Sequence, residues 1–268
     1  MSAQTDDDRP DLERRFGALR RLYGDAGYAR VRSARVAVVG VGGVGSWAAE
    51  ALARSGVAAL VLIDLDHVAE SNVNRQVQAL GTTLGMAKVQ ALARRIADIH
   101  PGCRVHAVEE FVSEDNWPAV LPVAVDAVID ACDQVRAKAV LAAWALREHV
   151  PLVCVGAAGG KQRAQCVEVD DLARATHDPL LATLRQRLRR EHGAPRAGAI
   201  GLHCVFSREN VRRPAAVCGA EQTSEDLSCH GYGSSVTVTA TFGLVAAGEA
   251  LHQVLARADA QKGAGIPL

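Results

Sequence analysis

Apolar and polar positions alternate between two periods along this chain. Arg35-Val36-Ala37-Val38-Val39 is a short β-branched run that ends in Gly40-Val41-Gly42-Gly43-Val44-Gly45, and Ser46 to Arg54 then has helical composition. Ala59-Leu60-Val61-Leu62-Ile63 supplies a second strand that stops at Asp64 and Asp66. Strand, glycine turn, helix and strand make a βαβ unit, which implies a parallel sheet. Leu84 to Ile99 carries Val89, Leu92, Ala93 and Ile96 on one helical face, and Pro101-Gly102 ends it. Val105 to Val108, Val125 to Ile129 and Pro151 to Val155 read as further strands, with a helix from Val135 to about His149. Regular alternation of this kind predicts an α/β, doubly wound and mostly parallel sheet of Rossmann-like type, with its ligand crevice beyond the carboxyl ends of the strands.

The ends of the chain are patterned differently. Asp11 to Arg30 predicts one or two short helices with a basic face that includes Arg14, Arg15, Arg20 and Arg21. Beyond Gly160 we expect a strand near Cys166 to Val169, a basic helix over Leu180 to Arg190, a strand near Leu202 to Phe206, a glycine- and cysteine-bearing loop and a helix from about Ser235. The expected organisation is a helical segment over 1–33, a nucleotide-binding core over 34–160, and a C-terminal extension of the same sheet over 161–268.

Composition narrows the function classes. Lys+Arg 30 balances Asp+Glu 30, which excludes coating of nucleic acid by bulk charge, so such a partner must meet a local basic patch. Aromatics at 4% disfavour base-stacking platforms. Seven cysteines without C-x-x-C pairs fit neither a disulfide framework nor a four-thiolate zinc site, so reduced thiols and a cytoplasmic setting are expected. The first thirty residues hold early acids and no secretory apolar segment. Leu227 to Gly248 has no charged residue, yet His230 and its serines, threonines and glycines argue against a membrane span.

The glycine turn carries the clearest chemistry. Gly40, Gly42 and Gly45 form G-x-G-x-x-G with Gly43 inside it, permitting close backbone approach while the following helix offers free N–H groups to phosphate. Tight strand-to-helix packing alone also uses such glycines. Asp64, at the next strand end, suits ribose hydroxyls, and it equally suits a capping role. An NAD-linked oxidoreductase fits these features as well as ATP does. Arg75, within Ser71-Asn72-Val73-Asn74-Arg75-Gln76, and Lys88 favour ATP, because attack on a phosphate requires cations on the developing charge. Asp133 would hold magnesium through carboxylate oxygen, with Asp130 orienting its loop.

Gly40 to Ser46, Asp64-Leu65-Asp66, Asn72 to Gln76, Lys88 and Asp130-Ala131-Cys132-Asp133 resemble the adenylating core of the ThiF and ubiquitin-activating-enzyme superfamily. That resemblance implies ATP-driven activation of a carboxylate, usually as an acyl adenylate. Gly43, Asp64, Asn74, Arg75, Lys88 and Asp133 match the family's nucleotide and magnesium positions. Gly156-Ala157-Ala158-Gly159-Gly160, Asp178-Pro179-Leu180-Leu181, His203 to Ser207, Val238 to Gly243 and Arg21-Leu22-Tyr23-Gly24 are similar to the tRNA threonylcarbamoyladenosine dehydratases. The substrate this implies is tRNA carrying threonylcarbamoyladenosine, cyclised with net loss of water. Adenylation of a small sulfur-carrier protein and a non-catalytic tRNA-binding module are the alternatives.

Further expectations attach to single residues. Cys229 matches a loop cysteine that other superfamily members use for thioester chemistry, and an inert thiol is the plain alternative. A sulfur-transfer partner is left open with it. Arg185, Arg187, Arg189 and Arg190 form the densest positive run and are candidates for tRNA phosphate, although charge runs are usually solvated faces. The family's common homodimer would let Arg21 reach a partner's ATP. Carbonyls of the Cys218 to Gly233 loop would suit a monovalent cation.

Overall fold

The computed structural model describes residues 10–212 and 232–263, with side chains as far as residue 257. Two helices, α1 (Leu12–Phe16) and α2 (Ala18–Ser33), precede the sheet, and α2 kinks at Gly24 where φ is 69°. The chain then runs β1 (Arg35–Val39), α3 (Gly45–Arg54), β2 (Ala59–Ile63), α4 (Lys88–Ile99), β3 (Arg104–Val108), β4 (Ala127–Asp130), α5 (Val135–Glu148), β5 (Leu152–Val155), β6 (Val167–Asp171), α6 (Pro179–Glu191), β7 (His203–Ser207) and α7 (Val236–Gly263). These strands form one sheet in the order β3-β2-β1-β4-β5-β7-β6, parallel except that β6 runs antiparallel along β7.

Both faces of the sheet's centre are covered, so β1, β2, β4 and β5 read as nearly continuous apolar runs. Val36, Val38, Leu60, Leu62 and Ile129 face α3, α4 and α7, whereas Ala37, Val39, Val61, Ile63 and Val128 face α5 and α6. That division is the strand period of two. Val236–Arg257 of α7 is long and apolar enough to cross a bilayer, with mean hydropathy 1.2. It instead packs along α3 and the sheet, where Phe242, Ala246 and Ala250 are fully buried.

Two expected boundaries shift. Leu84 to Ala87 is turn, not helix: the Lys88 N–H donates to the Asp66 carbonyl at 2.9 Å and Ala87 bridges His67, so α4 begins at Lys88. β4 begins at Ala127 instead of Val125, because the Asp126 carboxylate turns to accept from the Arg35 N–H at 2.9 Å.

The carboxyl ends of β4 and β5 are joined by a buried ammonium. Lys138 Nζ donates to the carbonyls of Asp130 at 3.2 Å and Val155 at 2.7 Å. It also lies 3.1 Å from Asp130 Oδ2, although that oxygen accepts no hydrogen bond. Both side chains are 0% exposed. Burial pulls the Lys138 pKa down, and the Asp130 carboxylate raises it beyond its ordinary value, so the lysine stays charged. Replacing Lys138 with Met strands the Asp130 charge. We expect Lys138→Met to cost about 3–5 kcal/mol in urea unfolding.

A second polar contact pins α2 to the opposite edge. His100 Nε2 lies 3.0 Å from Arg32 Nη1, and the imidazole is 4.6 Å from the Phe16 ring. Burial, then the Arg32 charge, holds the His100 pKa below its ordinary 6.5. The folded state therefore binds this proton less readily than the unfolded chain. The stability His100 contributes is complete above about pH 6.5 and is lost as pH falls through the lower folded value. Melting temperatures across pH 5 to 8 should show that loss in the wild type, with a flatter profile in His100→Phe.

Candidate nucleotide cleft

The sheet order reverses between β1 and β4, and a cleft of about 180 Å³ opens at that switch point. Gly40, Gly42, Gly43, Asp64, Asp66, Arg75, Lys88 and Asp133 all line it. They come from the ends of β1, β2 and β4, from the loop before α4, and from the first residue of α4.

The glycine turn is shaped by close approach. Gly40 has φ 81°, and a Cβ there would sit 3.0 Å from backbone atoms of Ala131 and Cys132. Gly45 does not line the cleft; a side chain on it would strike the Gly40 carbonyl, so it acts in packing α3 beneath the turn. Asp64 is 7% exposed. Its Oδ2 accepts from the Val41 N–H at 2.8 Å and its Oδ1 from the Asp66 N–H at 2.9 Å. Burial raises its pKa, with the nearby Lys88 charge and the two N–H donors opposing. The carboxylate caps no helix; it ties the glycine turn to the loop after β2 and also lines the cleft.

The Ser71 to Gln78 loop is sewn onto the glycine turn. Trp47 Nε1 donates to the Arg75 carbonyl at 2.9 Å, the Val77 N–H to Ser46 Oγ at 3.3 Å, and Gln78 Nε2 to the Val41 carbonyl at 2.9 Å. A methyl at Gly43 would lie 3.2 Å from Arg75 Cγ and Cδ, so the arginine stem runs directly over the turn. Arg75 Nη1 donates to the Ser71 carbonyl at 2.8 Å and to Asn74 Oδ1 at 3.0 Å. Asn74 also donates to the Ser234 carbonyl at 3.1 Å and does not itself line the cleft. Lys88 Nζ is buried and lies 2.6 Å from the half-exposed Asp66 Oδ2. Two cations therefore flank a set of backbone N–H groups, an arrangement suited to a polyphosphate.

Other expected residues fall elsewhere. Asp130 is buried beneath the cleft with Lys138, and its Oδ1 accepts from the Cys132 N–H at 3.3 Å, so it holds the loop without reaching a ligand. Asp133 is exposed at the rim. Among the described residues no three Asp, Glu, His or Cys side chains gather to hold a metal. The rim carboxylate fits a magnesium ion that takes most of its ligands from phosphate and water. Arg21 is exposed on α2 and does not line the cleft. Cys229, Cys218 and most of the expected cation loop lie outside the described residues.

The arginine run on α6 is less available than its sequence implies. Arg185 Nη1 donates to the carbonyls of Leu172 at 3.0 Å and Ala175 at 2.8 Å. Arg187 and Arg190 share Glu191, and Arg189 donates to the Pro195 carbonyl at 3.1 Å.

Several cleft residues had no chemical signal in the sequence. Phe111, half-exposed beyond β3, forms one wall, and Ala157, Leu180 and Thr239 form another. The sequence did not single out Phe111, whereas Ala157, Leu180 and Thr239 lie in segments that carry the family resemblance without a role of their own. Cys132 also lines the cleft, though burial, then the Asp130 charge, pushes its thiol well up, so it is a poor nucleophile.

The ThiF family model matches residues 15–264. The chain belongs to the ThiF family. This ThiF-family chain is 44% identical over 256 residues to the tRNA threonylcarbamoyladenosine dehydratase of Escherichia coli (strain K12), covering 92% of the chain and 96% of that protein. It is 39% identical to the enzyme of the same name from Bacillus subtilis (strain 168), across 71% of the chain and 76% of that protein. The crystal structure of E. coli tRNA N6-threonylcarbamoyladenosine dehydratase, TcdA, in complex with ATP matches with TM-score 0.84 and 42% identity, over 97% of this chain and all (100%) of that one. The AMP complex of that protein matches with TM-score 0.83.

Gly40→Ala tests the strain at the turn. A left-handed backbone and a backbone contact oppose the added methyl, so we expect a loss of about 1–2 kcal/mol or more, read from the urea midpoint.

Proposed function

We propose that this protein uses ATP to activate the carboxylate of threonylcarbamoyladenosine in tRNA and then closes the modification into a ring with net loss of water. The observation that carries this reading is the Arg75 stem lying across Gly43, with the buried Lys88 lining the same cleft. The near-complete match to dehydratases, one of them solved with ATP, supports the substrate.

The chemistry follows from what the cleft offers. A carboxylate is a poor electrophile. Its oxygen attacks phosphorus, pyrophosphate leaves, and the acyl group becomes a mixed anhydride with AMP. The neighbouring urea nitrogen or oxygen then attacks the acyl carbon and expels AMP, which carries away the oxygen that counts as water. That second attack is intramolecular and benefits from a high effective concentration. Arg75 and Lys88 take up the charge that develops on the phosphates, and Asp64 receives the ribose hydroxyls. Magnesium, held at Asp133, would neutralise phosphate charge.

The same reading includes a homodimer in a cytoplasmic setting. Arg21 and the exposed Leu22 on α2 support it as a surface suited to a second copy, from which Arg21 would reach ATP. The tRNA meets the rim of the cleft, and of the α6 arginines the outward Arg190 suits a phosphate better than Arg185 does.

Mass spectrometry of nucleosides from modified tRNA should show loss of one water only when ATP is present. Arg75→Ala and Lys88→Ala should each lower kcat/KM by about a hundredfold or more. Asp133→Asn should raise the magnesium concentration needed for half-maximal rate. Full turnover in all three variants would reject the site.

A further inference from the structure

The sheet topology gives the cleft a direction. Asp64 ends β2 and Phe111 follows β3 on one side of the glycine turn, while Asp133 follows β4 and Gly156 to Ala158 follow β5 on the other. A nucleotide with its ribose at Asp64 and its phosphates at the turn points its reactive phosphorus toward β4 and β5. The two halves differ in chemistry. The first holds Asp64, Asp66, Arg75, Lys88 and Glu110; past β5, the wall of Ala157, Ala158 and Leu180 carries no charged side chain, and Ser234 and Thr239, at the start of α7, line the same opening, Ser234 beside Asn74.

That uncharged wall is held by two buried charged groups that the proposed chemistry does not use. Asp178 is 4% exposed and caps α6, its Oδ1 accepting from the Leu181 N–H at 2.9 Å. Its Oδ2 accepts from the Ala157 N–H at 2.8 Å. Gly156 lies so close to this carboxylate that a side chain there would collide with it. Lys161 is 2% exposed, and its Nζ donates to the carbonyls of His177 at 2.9 Å, Ser207 at 3.1 Å and Glu209. Burying two charges to fix one short loop makes Ala157 and Leu180 a rigid surface.

We propose that Ala157, Ala158, Leu180 and Thr239 form an acyl-side subsite that receives the branched side chain of the substrate's amino-acid moiety, with Asp178 and Lys161 as its positioning residues. This rests on the proposed function and adds the group that selects the acyl chain. The wall suits a small methyl- and hydroxyl-bearing group: alanine methyls and Leu180 meet the methyl, and the Thr239 hydroxyl meets the hydroxyl. The carboxylate attached to that group then lies toward the phosphates over the turn.

The test compares two tRNAs, one with threonylcarbamoyladenosine and one with its glycine-derived counterpart, using the full-length protein. ATP affinity is measured separately by calorimetry. Ala157→Leu should lower kcat/KM for the threonyl substrate by about tenfold or more, spare the glycyl substrate, and leave the ATP Kd within about twofold. Asp178→Asn, which can satisfy only one of the two N–H donors, should raise KM for the threonyl substrate at unchanged ATP affinity. Should Ala157→Leu not fold, Ala157→Val reads the same threonyl-to-glycyl ratio. Equal losses on both tRNAs, no loss on either, or a parallel loss of ATP affinity would each overturn the subsite. A wild-type protein that binds ATP yet dehydrates neither tRNA would remove the substrate reading itself, a result distinct from an active wild type with indifferent variants.

Discussion

Beneath the floor of the cleft, the Lys138 ammonium ties the last carbonyls of β4 and β5 together and neutralises Asp130. Those two strand ends lead into the Asp133 rim and the Gly156 to Ala158 wall, so one buried ion pair sets the spacing of two neighbouring loops of the site. An apolar pair of the same volume could be as stable, because desolvating two charges is expensive. What the charged group adds is direction: two carbonyl oxygens must converge on one nitrogen, which places the loops above them to within hydrogen-bond tolerance.

The remaining parts are placed from the other side of the switch point. Side chains from α3 reach back to the loop between β2 and α4, and Trp47 and Ser46 bind its backbone. That stitching brings Arg75 over Gly43. Lys88 arrives differently, as the first residue of α4, and is drawn in by Asp66. The cleft thereby gains two cations from a chain whose formal charge is zero. Local placement, not overall composition, produces the field that phosphate meets.

Charge runs and cysteines illustrate the same point in reverse. The α6 arginines look like a nucleic-acid face in sequence, yet Arg185 is spent on backbone carbonyls and Glu191 serves Arg187 and Arg190. Cys132 sits in the cleft, but burial and the Asp130 carboxylate keep its thiol protonated. A residue type indicates what chemistry is available; its neighbours decide whether that chemistry is free to act.

Strand and helix order, the parallel sheet and the glycine turn followed by an acid were legible in the chain itself, since hydrophobic period and backbone sterics act over a few residues. The start of α4 was not, because Leu84 to Ala87 is helical in pattern and is pulled into a turn by contacts with His67, Val68 and Asp66. The role of Ala157, Leu180 and Thr239 was hidden even though their segments carry the family resemblance: alanine, leucine and threonine announce no chemistry, and only the tertiary fold brings them to the same opening. Local interactions write themselves into sequence as periodicity, whereas convergence of distant residues depends on how the sheet is wound, and no spacing along the chain records that.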